Sequence, residues 1–481
     1  MEALPDDVIL VVLEHLPLED LFTSRLVCKR FADLALAPDV WRRRQILDYH
    51  HHSYHQKKCQ VCPALRLAPR VNRMCYDLSK KHRHPPYTTT KCAAVELSVY
   101  LDGSACSARA AVPVIGNQVE LGRLQRLYLA FYRDVTPGAE PDVSLLLQTV
   151  ASTCGLKKLS LNHMFGLQNL TRLSTMASTF SCNTKLESSL THFHCGVQLG
   201  PCFENFVLAA HAATLESVDI STPSPSTAEL LAAAPKLRTL CSPLLTGMEA
   251  LAACQSLSVV RLQGGFCVTA GDTSKLPGAA QFFRGANQLR EVHLKHVDPC
   301  DGVDLVRALA ASGRSRVEEL SLVCSGRKLG KVQPLLDALA SLPALRCLEM
   351  KSLVDGQQVK ELLQGIRAET APALRSLILT PTGHLQCAHS WVHSRVTKAV
   401  LTTNPLLHIQ MKARTHGRSA YEAKDCRTCR VKKCHDGHEG DWEVLRMSTI
   451  FVGLSSCNDA RHCFEKFSRN SDDVFWWRVD L

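Results

Sequence analysis

Apolar residues recur along most of the chain in one six-residue pattern, apolar-x-x-apolar-x-apolar. The last two apolar positions are two residues apart, which is the spacing of side chains on one face of a β-strand. Copies begin at Cys92, Leu124, Leu156, Leu190, Leu215, Leu237, Leu257, Leu289, Val317, Leu345, Leu374 and, in degenerate form, Leu406. The pattern therefore predicts one short strand per copy.

Helix-like stretches lie between the later copies, at residues 303–313, 332–343 and 356–370. The first positions of these copies are 32, 28, 28 and 29 residues apart, so each interval holds one strand and one helix. A single strand–helix unit cannot cover its own apolar faces, and stacked neighbours do so. The sequence predicts an α/β fold of stacked strand–helix repeats.

These copies resemble leucine-rich repeats, and the resemblance covers about 300 residues. It implies a solenoid with a parallel sheet. The Asn or Cys expected three residues after the last strand leucine is mostly replaced, for example by Tyr132. The alternative is a conventional α/β domain with a parallel sheet, although such a domain would not need eleven equivalent strands.

The first 45 residues have helical periodicity instead. Pro5 followed by two aspartates favours a helix start, and Pro17 ends that helix. The first helix is predicted to have one broad apolar face: Val8, Ile9, Val12, Leu13 and Leu16. Two further short helices follow before Pro38. Three helices in about 40 residues cannot bury all of this apolar surface, so we expect a partner to cover the excess.

This segment resembles an F-box. The matching positions are Leu4-Pro5, Ile9, Leu13, Leu16, Pro17-Leu18, Asp20-Leu21, Val27-Cys28-Lys29-Arg30, Phe31, Pro38 and Trp41. The resemblance implies docking onto a Skp-type adaptor of a cullin–RING ubiquitin ligase. The adaptor-binding residues it implies are Leu4, Pro5, Ile9, Leu13, Leu16, Leu21, Val27 and Trp41. The alternative is an ordinary three-helix subdomain that packs on the rest of the chain.

Four regions follow from these patterns: a three-helix F-box (1–45), a basic connector (46–91), a leucine-rich repeat solenoid (92–411) and a tail (412–481). Two short helices are predicted in or near the connector, around residues 43–49 and 71–81. The tail ends with the tandem Trp476-Trp477, which we expect to cap the last repeat, because the ends of a solenoid must be covered.

Charge is concentrated in one segment. The chain of 481 residues carries a formal net charge of +11, and residues 42–91 hold twelve Lys and Arg against two acidic residues. Such a segment favours RNA, a phosphorylated partner or an acidic protein surface. An alternative function is therefore a basic repeat scaffold that binds RNA or acidic proteins through residues 42–91. We expect a protein partner rather than nucleic acid.

No apolar run approaches the ~20 residues that a membrane-spanning helix requires, and the N-terminus lacks the pattern of a secretory signal. We therefore expect a cytoplasmic or nuclear protein without a membrane partner. In that setting the 22 cysteines should be reduced thiols rather than disulfides.

Two clusters combine thiols and imidazoles at spacings that suit a structural zinc ion. The first contains Cys59, Cys62, Cys75 and His82, with His84 as an alternative fourth ligand. The second contains Cys426, Cys429, Cys434 and His438, with His435 as the alternative. Each begins with Cys-x-x-Cys, but neither second pair matches a standard zinc finger. Structural zinc is thus a hypothesis for both clusters, and no other cofactor is expected.

No motif for catalysis is evident, so we predict a non-catalytic substrate receptor of a Skp–cullin–F-box ligase that promotes ubiquitination and degradation of a bound protein. Strand alternation predicts an exposed row on the concave sheet: Tyr128, Ser160, His194, Asp219, Cys241, Arg261, His293, Ser321, Glu349 and Ile378. Two residues earlier lie Arg126 and Lys158 in early repeats and Glu291 and Glu319 in later ones. We expect this strip to bind the substrate, with basic and acidic ends that orient it.

Overall fold

The computed structural model describes residues 4–47, 61–78, 85–163, 187–197, 199, 201–264, 273–295, 298–323, 329–351, 355–367, 369–380, 394–414, 449–456 and 474–478. These residues form two compact units, Met1–Leu237 and Arg238–Leu481. Each unit is described by itself.

Unit 1 begins with four short helices and continues as alternating strands and helices. The helical segment contains α1 (Asp6–His15), α2 (Leu18–Ser24), α3 (Lys29–Leu34) and α4 (Pro38–Trp41). The strands are β1 (Gln45–Leu47), β2 (Arg70–Asp77), β3 (Ala93–Leu101), β4 (Arg126–Phe131), β5 (Lys158–His163), β6 (His192–Cys195) and β7 (Ser217–Ile220). Between them lie α5 (Val61–Leu67), α6 (Ala105–Glu120), α7 (Glu140–Ala151), α8 (Pro201–His211) and, last, α9 (Thr227–Ala232).

The connector departs from the sequence prediction. The helices expected around residues 43–49 and 71–81 are absent from the described part of the chain, where β1 and β2 lie instead. Both strands pair in parallel with the next strand, so the sheet begins at Gln45. In β2, Val71, Met74 and Tyr76 are all buried. Their spacing is that of the repeat pattern, and Met74 and Tyr76, two residues apart, share one face of the strand.

The first predicted copy is out of register by two residues. The sequence assigns its middle position to Val95, but Leu97 is the residue that pairs with the middle residue of the next copy, Leu127. The buried set is therefore Ala94, Leu97 and Val99. Only this alignment turns three apolar side chains to the core face.

Unit 2 has the same alternation. Its strands are β8 (Thr239–Ser242), β9 (Val259–Gln263), β10 (Glu291–Lys295), β11 (Glu319–Val323), β12 (Cys347–Lys351), β13 (Ser376–Thr380), β14 (His408–Arg414), β15 (Thr449–Ser455) and β16 (Val474–Arg478). Its helices are α10 (Leu276–Gly285), α11 (Pro299–Ala310), α12 (Gln333–Leu339), α13 (Gly356–Gly365) and α14 (Arg395–Thr403). Short 3₁₀ turns lie at Met248–Ala253 and Thr273–Lys275.

Every repeat copy predicted from the sequence lies at a strand, from β3 to β14, and the three predicted helices correspond to α11, α12 and α13. Strand order follows chain order within each unit. A doubly wound α/β domain would reverse this order at a switch point, and no reversal occurs among the described strands of either unit. The fold is thus a parallel sheet with alternating helices that resembles a leucine-rich repeat solenoid.

One continuous row of buried side chains stabilises each unit. At the middle strand position, unit 1 has Met74, Leu97, Leu127, Leu159, Phe193 and Val218, and unit 2 has Leu240, Val260, Val292, Leu320, Leu348, Leu377 and Ile409. Each helix adds its own buried stripe, such as Val359, Leu362 and Leu363 of α13. Because every row member contacts its neighbours in adjacent repeats, truncation of one leucine should cost about 2–5 kcal/mol.

The end of unit 2 is not a further strand–helix repeat. β15 pairs antiparallel with β14, and β16 then pairs in parallel with β15. Trp476 and Trp477 lie in β16. The last copy of the pattern is degenerate as predicted, because Leu406 is exposed and the adjacent Leu407 is buried. Capping by the tandem tryptophans stays a prediction.

Candidate functional site

Helix α1 has buried and exposed apolar residues in adjacent stripes. Ile9 and Leu13 are buried where α1 packs on α3 and α4, whereas Val8, Val11 and Val12 are exposed. The predicted broad apolar face is therefore divided: Ile9 and Leu13 at one edge are buried, and Val8 and Val12 at the other edge are exposed. Residues four apart share a side of a helix, so positions 9 and 13 form one stripe, and positions 8, 11 and 12 form another.

Trp41 is the centre of the small core beneath these helices. Its side chain is fully buried, and its ring lies 6.1 Å from that of Phe22. The indole Nε1–H donates a hydrogen bond of 2.7 Å to the carbonyl of Ala35. Leu21 of α2 is also fully buried. The ring contact of Phe22 and Trp41 thus joins α2 to α4.

Four of the eight adaptor-binding residues implied by the resemblance are therefore core residues in this structure. The buried four are Ile9, Leu13, Leu21 and Trp41. A motif marks core and contact positions alike, because both need apolar side chains. Leu4, Pro5 and Val27 are exposed and Leu16 is half-buried. Their contact with an adaptor stays a prediction.

Four exposed apolar residues were not among the predicted adaptor-binding residues: Val8, Val11, Val12 and Leu26. Leu26 has 85% of its surface exposed and Val27 has 61%, in the turn between α2 and α3. This turn is fixed because their backbone N–H groups donate to the carbonyls of Thr23 and Ser24 at 3.0 and 3.1 Å. We call six residues the exposed apolar set: Leu4, Val8, Val11, Val12, Leu26 and Val27. The i, i+3, i+4 spacing of the three valines is the signal that indicates the second stripe.

Arg44 fastens the end of α1. Its guanidinium donates to the carbonyls of Leu13 and Leu16 at 2.5 and 2.7 Å and to that of Val40 at 2.9 Å. It also lies 5.8 Å from the centre of the Trp41 ring. The last carbonyls of a helix have no partner within the helix, and a cation there is favourable. Arg44 thus joins α1 to α4 in a segment with few core residues.

Other basic residues of the 42–91 segment also have contacts inside unit 1. Arg70 is 3.1 Å from Asp39, which links α4 to β2. Arg73 is 2.9 Å from Glu96 of the neighbouring strand. With Arg44, at least three of the twelve cations therefore serve internal contacts, which leaves fewer charges for an RNA backbone.

The strand register places the predicted exposed row of unit 1 side by side. Pairing aligns the predicted Tyr128, Ser160, His194 and Asp219 across β4 to β7, and Ser98 of β3 extends the row. Ser98 and Ser160 are buried, so the prediction of exposure is wrong for Ser160. The row two residues earlier contains Glu96, Arg126 and Lys158, and it also includes Arg73 of β2. Substrate binding by these residues stays a prediction.

We call the row of Arg73, Glu96, Arg126 and Lys158 the basic row. The Glu96 carboxylate forms ion pairs with two of its cations. The Glu96 carboxylate lies 2.9 Å from Arg73 Nε through one oxygen and 2.9 Å from Arg126 Nε through the other. Arg73 also donates to the Ser98 hydroxyl at 3.3 Å. The two guanidiniums are therefore held against the sheet by one acidic residue, and Lys158 on β5 is exposed beside them.

Three tyrosines cluster on the same face. Tyr100 is buried, with its ring centre 5.9 Å from that of Tyr128 and 5.6 Å from that of Tyr132, on which it stacks. Burial raises the pKa of Tyr132 to about 12, and the nearby Asp77 adds to this effect. Burial also raises the pKa of Tyr128. The phenols of Tyr128 and Tyr132 are thus neutral at physiological pH.

His194 of β6 has polar contacts with residues of both neighbouring strands. His194 Nδ1 lies 2.9 Å from the Asp219 carboxylate, and its Nε2 lies 2.5 Å from the Asn162 side-chain oxygen. Asn162 in turn donates to the Ser160 hydroxyl at 2.9 Å. These residues therefore form a continuous hydrogen-bonded network across β5 to β7. It fixes the side chains but brings no nucleophile to a base.

Unit 2 presents a second row of aligned residues. Pairing places Cys241, Arg261, His293, Ser321, Glu349 and Ile378 side by side. Cys241, Ser321 and Ile378 are buried, so the prediction that they are exposed is wrong. Glu291 and Glu319 are paired two residues earlier. Arg261 and His293 each lie 3.6 Å from Glu291. The acidic charges of this row are thus partly balanced.

Burial and ion pairs shift the pKa values of two residues in this row, His293 and Glu349. Burial lowers the pKa of His293, and the positive charge of Arg261 lowers it further. Glu291 acts in the opposite direction but does not outweigh these two effects. Burial alone would raise the pKa of Glu349, but hydrogen bonds with Lys351 and Ser321, both 2.6 Å long, outweigh it and keep this pKa below its usual value. Glu349 is therefore a charged group at neutral pH.

The predicted zinc ligands lie mainly outside the described residues. Cys59, His82, Cys426, Cys429, Cys434 and His438 all do so. Cys62 is half-buried and Cys75 is fully buried in β2. In the described part of the chain, no three His, Cys, Asp or Glu side chains are grouped as metal ligands would be. Zinc binding stays a prediction for both clusters.

The comparisons with known proteins bear on the N-terminal segment. The F-box-like family model matches residues 1–46, so the chain begins with an F-box-like domain. The chain as a whole therefore joins an F-box-like domain to strand–helix repeats that resemble a leucine-rich repeat solenoid. No curated protein sequence matches it.

Solved structures with similarity include a leucine-rich repeat protein of Leptospira interrogans. The two chains share 12% identity with a TM-score of 0.28, over 73% of this chain and 90% of the other. A similarity of this size carries no argument, so the repeat assignment rests on the strand register above. No described helix is both long and apolar enough to span a bilayer.

Proposed function

We propose that this protein is the substrate-recognition subunit of a Skp–cullin–F-box ubiquitin ligase. Its F-box-like domain binds the Skp-type adaptor, and the exposed strand rows of its repeats bind a target protein. The ubiquitin-transfer chemistry belongs to other subunits, and this chain acts without catalytic residues of its own.

The exposed apolar set carries the proposal. Clustered apolar side chains on an otherwise polar surface mark a protein contact site. Val8, Val11 and Val12 occupy the outer stripe of α1, and Leu26 and Val27 project from a turn held by backbone hydrogen bonds. The F-box-like match covers all of these residues, and such domains bind Skp-type adaptors.

The mechanism is positioning. A target held on the repeats stays close to the ubiquitin-conjugating enzyme brought by the adaptor and the cullin, which raises the effective concentration of its lysines. Hydrogen bonds that join the F-box-like domain to the sheet support this role. The Asn72 N–H donates to the Arg44 carbonyl at 2.9 Å, and Arg70 pairs with Asp39.

Co-purification with the adaptor tests the proposal. We expect Val11→Asp with Val12→Asp to abolish adaptor binding, because two carboxylates would be desolvated in the contact. Leu145→Asp is the matched control, since Leu145 is 47% exposed on α7, outside the F-box-like domain. Full adaptor binding by the double variant, with its thermal midpoint unchanged, would exclude this function.

Target capture forms the second arm of the test. Glu291→Lys, Glu319→Lys and Glu349→Lys together reverse three acidic charges in two adjacent rows of unit 2. We expect this triple variant to lose its target in affinity purification while it retains the adaptor. If capture is unchanged and substitutions on the helical side reduce it, the strand rows are not the binding surface.

A further inference from the structure

The face of unit 1 formed by β2 to β5 combines cationic and aromatic side chains. Register places Arg73, Glu96, Arg126 and Lys158 at equivalent positions of four neighbouring strands. Adjacent strands are about 4.8 Å apart, so this basic row runs across the sheet at a spacing that the backbone fixes. Its members cannot drift as charges on a loop would.

The charges of the basic row do not cancel. Glu96 is shared between Arg73 and Arg126, and with Lys158 the row holds one carboxylate against three cations. The side chains of Arg73 and Arg126 remain 32% and 40% exposed in these ion pairs. A guanidinium has five N–H donors in a planar fork, so each retains donors beyond those directed at Glu96. The row has an excess of about two positive charges.

The tyrosine cluster lies directly beside this row. Tyr128 is two residues after Arg126 on β4, and the Arg73 charge acts on its hydroxyl. Tyr100 lies beneath Tyr128 and Tyr132, which are both partly exposed. The rings are tilted or stacked at 5.9 and 5.6 Å, so they form a rigid aromatic platform rather than an open cage.

We propose that this face binds an extended acidic segment of a protein partner. Two carboxylates of the segment pair with Arg73, Arg126 and Lys158, and an aromatic or apolar side chain between them packs on Tyr128 and Tyr132. The inference rests on the proposed receptor function and names the class of segment that unit 1 recognises.

Charge selects this occupant over nucleic acid. Asp77 and Asp219 lie on the same face, in register with Tyr100 and in the row of Tyr128. A nucleic-acid backbone presents one charge per nucleotide and needs a continuous basic track. An excess of about two charges flanked by aspartates suits a segment with two carboxylates. Arginine forks also match carboxylate geometry in pairs.

Fluorescence anisotropy with the purified full-length protein tests this inference. The probe is a fluorescein-labelled peptide of alternating Glu and Phe, and the control peptide has Gln in place of each Glu. We expect only the Glu peptide to bind, and its affinity to fall as salt is raised, because the charges are partly exposed.

Two charge reversals locate the contact. Arg126→Glu and, independently, Lys158→Glu should weaken the Glu peptide about tenfold, because like charges oppose binding. Arg109→Glu is the matched control: Arg109 of α6 also pairs with a carboxylate at 2.9 Å, that of Asp142, but lies outside this face. It should leave peptide affinity unchanged.

Three results would overturn the inference: equal binding of the Gln peptide, an equal loss in Arg109→Glu, or tighter binding of an oligouridine that competes for the same face. Adaptor co-purification from the same preparations separates this inference from the proposed function. Loss of peptide binding with the adaptor retained contradicts only the acidic-segment inference, and the reverse result contradicts only the ligase assignment.

Discussion

The F-box-like domain and the repeats treat apolar side chains in opposite ways. Nine large apolar side chains are exposed among the described residues, and six of them lie between Leu4 and Val27. The other three, Leu47, Leu145 and Leu406, are isolated. Scattered exposed leucines are ordinary, whereas a cluster indicates a surface that is covered in the functional state. The repeats therefore bury most of their large apolar side chains, whereas the F-box-like domain leaves six of them exposed.

The two regions also differ in what holds them together. A repeat is stabilised by the leucine rows of its neighbours, so its stability is distributed along the sheet. The F-box-like domain has few buried side chains and relies on single contacts, above all Trp41 and the hydrogen bonds of Arg44. Small cores need such additional links, because a short chain buries too little surface.

Substitution of Trp41 should have the largest effect on the stability of the F-box-like domain. Trp41→Ala removes a fully buried ring and its hydrogen bond to Ala35, which should cost about 3–5 kcal/mol of local stability. Hydrogen exchange should show α1 to α4 unprotected while β9 to β13 keep their protection. Unchanged exchange in α1 would show that the domain does not depend on this residue.

A buried carboxyl makes the stability of unit 1 depend on pH. Glu204 of α8 is fully buried, receives a hydrogen bond from Thr222 at 3.2 Å and lies beside the buried Cys195 thiol. Burial raises the pKa of Glu204 to about 7, against an ordinary value of 4.5. The carboxyl is thus neutral in the native chain at pH values where the unfolded chain has already ionised it.

The folding contribution of Glu204 is therefore complete below about pH 4.5 and is lost as pH rises to about 7, because the unfolded chain then binds fewer protons. The loss should be about 3 kcal/mol, from ~1.4 kcal/mol per pKa unit. Urea unfolding at pH 5 and pH 8 measures it. Glu204→Gln should flatten this pH dependence, and Glu229→Gln, at an exposed position of α9, should retain it. Parallel curves for the wild type and Glu204→Gln would contradict the assignment.

Arg44 provides a smaller test of the single contacts in the F-box-like domain. Arg44→Met removes the guanidinium donor from the carbonyls of Leu13 and Leu16 and should cost about 1–3 kcal/mol. Arg43→Met is the matched control. Arg43 is 72% exposed and lies 3.4 Å from Glu14, and an exposed ion pair of this kind contributes at most about 1 kcal/mol. Equal chemical-denaturation midpoints for both variants would show that the Arg44 hydrogen bonds contribute nothing special.

The strands of the repeats were predictable from the sequence because each has apolar residues at the same spacing with the period of a strand. β2 was missed although Val71, Met74 and Tyr76 match that spacing, since flanking charges such as Arg73 obscured it. Alternation also predicted which residues align in the row beside the core positions. It did not predict their exposure, because Ser160, Cys241, Ser321 and Ile378 of that row are buried.

The candidate sites were harder to predict from the sequence. Apolar periodicity showed that α1 has apolar stripes but not which stripe the other helices bury, so core residues such as Ile9 were assigned to the surface. The tyrosine cluster joins Tyr100 and Tyr132, which are 32 positions apart in the chain, and depends on strand register. Contacts of this kind are set by tertiary structure rather than by local pattern.

Leu26 and Leu21 test whether exposed and buried apolar residues of the F-box-like domain have different roles. They are five residues apart, and one is exposed while the other is buried. Leu26 is 85% exposed in the turn after α2, whereas Leu21 within α2 is fully buried. Leu26→Ser should change the free energy of unfolding by no more than about 0.5 kcal/mol. It should nevertheless weaken adaptor binding about tenfold, because the variant loses the apolar area that Leu26 would bury against the adaptor. Leu21→Ser should instead destabilise the domain and reduce adaptor binding only in proportion to the unfolded fraction. Adaptor titration calorimetry and urea unfolding on the same two variants measure both quantities. If Leu26→Ser binds the adaptor as tightly as the wild type, this turn lies outside the contact, and the apolar residues of α1 alone would have to form it.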